Sequence, residues 1–161
     1  MRKRRKILLG MAAGALWALA LVGGVHLADP AYLPPALALP GAFFVPGLVL
    51  IAMIGRLAQR RFFDDALIDG EEFAPGSPAW VDQRVLSNTM EQLVLAIAVW
   101  PFVAFAAGGA VVLALGVGFG IARLAFWIGY HAAPPLRAFG FAGTFYPTIL
   151  AAIWTLAIWI F

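Results

Sequence analysis

The sequence predicts an all-α, polytopic membrane protein of about five spanning helices. Three observations carry this prediction. Hydrophobic residues make up 63% of the 161 positions and charged ones only 12%, where a soluble domain carries about 25%. Five apolar runs each approach the roughly 20 residues needed to cross a bilayer. Apart from Arg123, lysine and arginine are confined to the N-terminus and alternate connections between those runs.

The first run, "ILLGMAAGALWALALVGGVHL" at 7–27, carries no charge and follows "MRKRRK". A basic start before an apolar run also describes a signal peptide. Here the run exceeds the 7–15 residues typical of one, and His26 occupies a position that cleavage after Ala28 needs small. The segment is therefore read as an uncleaved helix. Pro30, Pro34, Pro35 and Pro40 mark the following turn. A second run covers about 36–55, with Pro46 as a candidate kink. The stretch 56–84 holds six of the eight acidic residues and reads as a solvated loop. The third and fourth runs, 85–107 and 109–132, flank "GGA". "PPLRAFGFAG" reads as a short loop before a fifth run, 142–161.

If residues 1–6 are cytoplasmic, so are the connections at 56–84 and 133–141. The two opposite connections contain no lysine or arginine, as the positive-inside rule expects. The net charge of +3 reflects this asymmetry, because five of the eleven basic residues stand in the first six positions. It is no evidence for nucleic acid. With no cysteine there is neither a disulfide framework nor a nucleophilic thiol, so thiol chemistry requires a thiol brought by a cosubstrate. His26 and His131 fall at opposite ends of the bilayer, and no metal site is read. The acidic cluster at 64–72 lacks calcium-loop spacing. "GVGFG" at 116–120 reads as close helix packing.

Beyond Gln92 only two formal charges remain, Arg123 and Arg137. An ionisable group inside a span costs roughly 2.5–3.5 kcal/mol on insertion scales, so it persists only if paired, hydrated or useful. Arg84, Asn88 and Glu91 fall within about 60° of one another on a helix, a stripe descending about 10 Å. Arg123, Phe126, Trp127 and Tyr130 share a face of the next helix. Glu91 and Arg123 are placed at similar depth and are expected to pair. Singly, Arg60, Arg61 and Arg84 are ordinary snorkelling arginines, Tyr130 an interfacial aromatic and Asn88 an interhelical hydrogen bonder. Glu91 resists such a reading, and together these groups point to a binding site.

The same residues resemble the family of membrane-associated proteins in eicosanoid and glutathione metabolism (MAPEG). "RVLSNTME" reproduces its R-x-x-x-N-x-x-E signature through Arg84, Asn88 and Glu91. "ARLAFWIGY" with "PPLRAFGF" is similar to its third helix and following loop, placing Arg123, Tyr130 and Arg137. "AQRRFF" resembles the arginine pair ending its first helix. The resemblance spans about 38–161 and leaves 1–37 as an added helix and Pro-rich turn. It implies a MAPEG-type four-helix bundle assembled as a homotrimer, in a bacterial inner membrane for a bacterial branch.

Glutathione is implied as cosubstrate, held by Arg84, Asn88, Glu91, Arg123 and Tyr130. Arg60 or Arg61 would arrive from an adjacent subunit. Arg137 would engage the anionic or thiolate end, making Arg137 and Tyr130 the catalytic candidates. The implied activity is a glutathione-dependent transferase or peroxidase acting on lipophilic small molecules. The alternative is a non-catalytic scaffold or lipid-binding protein of the same fold. A proton path through Glu91 and Arg123 is disfavoured, because no polar residue continues toward the opposite face. The chain departs from the family at Phe126 and Gln92, where some members carry tyrosine.

Overall fold

The computed structural model describes residues 2–161, with side chains described from residue 4 onward. These residues form five α-helices: α1 Arg2–Ala28, α2 Pro35–Phe62, α3 Pro78–Ala107, α4 Gly109–Ala132 and α5 Pro134–Ile160. All five are long and apolar enough to cross a membrane.

Three boundaries differ from the sequence reading. α2 continues to Phe62 and α3 already begins at Pro78, so the polar connection shrinks to 63–77. Local chemistry explains the early start. Ser77 is the N-cap, its Oγ accepting from the Trp80 amide at 3.1 Å, and Pro78 occupies the first turn, where its missing N–H costs nothing. "PPLRAFGFAG" is likewise not a loop. Ala133 is extended, and Pro134 and Pro135 open α5, so Arg137 sits on a helix. The turn between α3 and α4 needs special backbone freedom, and Gly108 supplies it at φ 94°, as Gly70 and Gly76 do in the 63–77 connection.

α4 is the central helix and packs against all four others, while α1 packs on α5 and α4 and touches neither α2 nor α3. Small residues allow the close crossings. A methyl at Gly116 would collide with the Ala42 backbone of α2, which accords with the packing role expected of "GVGFG". Methyls at Gly10 and Gly14 would collide with Pro135 and Ala142 of α5. Trp100 anchors the largest buried cluster, stacked on Phe43 and donating to Thr148 Oγ1 at 3.3 Å.

The outer surface is apolar. Leu16, Ile51, Phe105 and Ile153 are all more than 60% exposed. A water-soluble monomer rarely tolerates such a continuous apolar exterior, whereas lipid solvates it. The chain is an integral membrane protein.

Candidate functional site

Arg123 lies at the heart of the bundle with no exposed surface. Its Nη1 donates to Asn88 Oδ1 at 2.9 Å, and its Nη2 donates to Gly140 O at 2.8 Å and Thr144 Oγ1 at 2.6 Å. Asn88 Nδ2 in turn donates to Glu91 Oε2 at 3.0 Å. The expected direct pair between Glu91 and Arg123 is therefore not formed. Asn88 stands between them as a relay, its carbonyl facing the cation and its amide facing the exposed carboxylate. The arrangement spares Glu91 full burial, which an isolated carboxylate tolerates poorly.

The polar groups reach a cavity of about 490 Å³ through a column of alternating cations and rings. The Arg123 guanidinium sits 4.3 Å from the Phe126 ring centroid, and Phe126 meets Tyr130 edge-on at 5.0 Å. The Arg137 guanidinium lies 5.0 Å from the Tyr130 ring. Close contact between α4 and α5 sets this column. A methyl at Gly129 would strike the Arg137 backbone, and one at Gly140 would strike that of Phe126. Asn88, Tyr130 and Arg137 line the cavity beside the apolar Ile7, Met11, Phe126 and Phe141. α1 and α3 do not touch, and the cavity has walls from both.

The other expected site residues do not line this cavity. Arg84 is exposed and stacks on Trp80 at 4.3 Å, a turn from Asn88 on α3. Arg61 organises the 63–77 connection, with Nη1 donating to the carbonyls of Leu67 at 3.2 Å and Glu71 at 3.0 Å, and its guanidinium over Phe73. Arg60 donates through Nε to Asp82 Oδ2 at 2.8 Å. Gln92, one of the two departures from the family, is buried; Thr144 Oγ1 lies 3.4 Å from its Oε1. It therefore belongs to the network behind the site.

Asp82 is the residue that the sequence reading misplaced. It was assigned to the solvated loop, yet it is 3% exposed. Besides Arg60 it accepts from Trp127 Nε1 at 2.7 Å and lies 2.6 Å from His131 Nε2, both through Oδ1. It thus ties α2, α3 and α4 together. The available signal was "SPAW": a capping serine before proline starts the helix early and carries Asp82 inward. At the opposite end, a cavity of about 340 Å³ contains Asp29 as its only acidic or basic side chain apart from His26. Without an arginine or lysine it does not suit an anionic ligand.

Fold and site define the class: a membrane-spanning helical bundle whose polar network feeds a cavity at the end of the bundle bearing the N-terminus. Residues 36–157 match the MAPEG family, and the chain belongs to that family. Its members include glutathione transferases and peroxidases as well as others. No curated protein and no solved structure matches the chain.

Proposed function

We propose that the protein is a membrane-embedded, glutathione-dependent transferase or peroxidase for lipophilic electrophiles. The cavity that joins Asn88, Tyr130 and Arg137 to an apolar lining carries this reading. Glutathione presents two carboxylates, an ammonium and a thiol. Arg137 and the Tyr130 hydroxyl complement its thiolate, a guanidinium and a phenol both lowering the free energy of the anion. Glu91 and Asn88 suit the ammonium. Arg84, exposed nearby, suits a carboxylate. Arg123 holds Asn88 in place.

In the transfer reaction the thiol first loses its proton to water. The sulfur then forms a bond to the electrophilic carbon; either the leaving group departs with its electron pair or, at a conjugated alkenal, the C=C pair shifts toward the carbonyl and the α carbon takes a proton from water. In the peroxidase variant the thiolate attacks a peroxide oxygen, the O–O bond breaks, and an alcohol leaves after taking a proton. A second glutathione reduces the resulting sulfenic acid, giving disulfide and water.

The positive-inside pattern supports a cytoplasmic N-terminus and a site at the cytoplasmic mouth; the bacterial inner membrane is the setting proposed with the family resemblance. Family membership supports a homotrimer. In that assembly Arg60 could still engage a neighbour's ligand, since among the described residues only its Nε is committed.

Glutathione titration of the detergent-solubilised protein, by calorimetry and thiolate absorbance, tests the reading. Binding should occur in the wild type and fall at least tenfold in Arg137→Gln. Absence of binding in the wild type sinks it. The second reading, a non-catalytic member, draws support from Phe126, which leaves the cavity one hydroxyl poorer. Binding without turnover of any electrophile would select it.

A further inference from the structure

The family match begins at residue 36, so α1 lies outside it. α1 is nevertheless built into the site. Gly10, Gly14, Ile7 and Met11 fall on one arc of about 100° around the helix. Gly10 and Gly14 press that arc against the opening turns of α5, which also carry Arg137. Ile7 and Met11 continue it into the cavity that Asn88 of α3 also lines.

The cavity lining is therefore of two chemical kinds: a polar half of Asn88, Tyr130 and Arg137, and an apolar half of Ile7 and Met11 from α1 with Phe126, Ala138 and Phe141. Its volume of about 490 Å³ lies within the roughly 300–1,000 Å³ of small-molecule sites. A purely apolar occupant would leave the guanidinium and phenol unused. A purely polar one would leave five apolar side chains against water. The occupant that satisfies both halves has an alkyl or aryl body and a polarised, electron-poor end.

We infer that α1 is a working wall of the site: Ile7 and Met11 form the surface against which the lipophilic acceptor lies, and they set the length of acceptor admitted. This inference rests on the proposed function for what the polar half holds. Met11 suits the role because an unbranched thioether adapts to varied apolar shapes.

Two measurements test it. In the first, the wild-type protein without thiol is photolabelled with an aryl probe bearing an alkyl diazirine. Label is expected at residues 7–11 as well as on α4 and α5, and excess unlabelled probe should suppress it. Label on α4 and α5 with none on α1 overturns the inference, as does label on α1 that competitor leaves unchanged. In the second, turnover of a short and a long 2-alkenal with glutathione is compared in Ile7→Ala and Met11→Ala. Removing several side-chain atoms from an apolar wall should shift the long-to-short ratio of kcat/KM by about tenfold. Glutathione affinity should stay within about twofold, because these side chains carry no polar group to hold the tripeptide. An unchanged ratio overturns the inference. If the wild type binds no glutathione, the thiol reading falls, and photolabelling still decides the role of α1.

Discussion

Replacing Arg123 by methionine should cost less stability than replacing Asn88 by alanine, although arginine is the larger and charged residue. The guanidinium donates to Asn88, Gly140 and Thr144. At about 1.5–3 kcal/mol for a bond involving a charged group, the gross loss is on the order of 5–9 kcal/mol. Against it stands the desolvation of a fully buried cation, several kcal/mol by itself, and its Nε has no partner. What is left behind decides the net. The Gly140 carbonyl remains within the α5 helical ladder, and Thr144 still donates to Phe141 O at 3.0 Å. Only Asn88 Oδ1 loses its partner, and the adjoining cavity admits water to it. Methionine also regains a sulfur–ring contact with Phe126, worth about 0.3–1.5 kcal/mol. The expected destabilisation of Arg123→Met is below about 1.5 kcal/mol.

Asn88→Ala does the reverse, stripping Nη1 of its acceptor beside an Nε that already has none. Leaving a buried donor without its acceptor costs about 1–3 kcal/mol and more when it belongs to a cation, so the expected loss is about 2–4 kcal/mol. Denaturant unfolding in one detergent, followed by tryptophan fluorescence, measures both variants. If Arg123→Met loses as much stability as Asn88→Ala, the desolvation argument is wrong.

Asp82→Ala should lower stability by about 1–3 kcal/mol, chiefly through the stranded Trp127 Nε1. Arg60 and His131 add little because their side chains are 24% and 37% exposed and rehydrate. Thermal unfolding in detergent checks this, and an unchanged midpoint would mean that the carboxylate ties nothing together. Gly10→Leu should force α1 away from Pro135 and Ala138 of α5. Overpacking of about 1–3 kcal/mol corresponds to roughly tenfold to hundredfold faster hydrogen exchange across residues 4–28. Exchange confined to its wild-type rate would show that the crossing is looser than the geometry states.

The spans were legible because bilayer thickness sets a length that composition reveals directly. Their ends were not, for two reasons. Polarity marked 56–84 as loop, but helices may leave the apolar slab and continue into water, as α2 does to Phe62 and α3 does from Pro78. Proline was read as a terminator in "PPLRAFGFAG", although in a first turn it starts a helix equally well. Periodicity correctly brought Asn88, Glu91 and Arg123 to neighbouring faces. It could not specify which would touch, because the choice between direct pairing and an amide relay depends on interhelical distance and burial. Asp82 escaped for a similar reason. Its partners Arg60, Trp127 and His131 are 22, 45 and 49 positions away in sequence.

The departure at Phe126 follows from the same geometry. Its ring is 3% exposed, with the Arg123 cation at 4.3 Å and the Tyr130 ring at 5.0 Å. A hydroxyl on a ring so enclosed would need a partner, and the nearby guanidinium has already committed both terminal nitrogens. Phenylalanine presents Arg123 with a π face and adds no unmet donor. Tyr130, one turn further on, keeps its ring fixed between Phe126 and Arg137 at the cavity wall. The loss of a hydroxyl at 126 therefore concentrates hydrogen-bond donation at the α4–α5 junction. Under the proposed function, Tyr130 and Arg137 are then the pair left to meet a thiolate in this cavity.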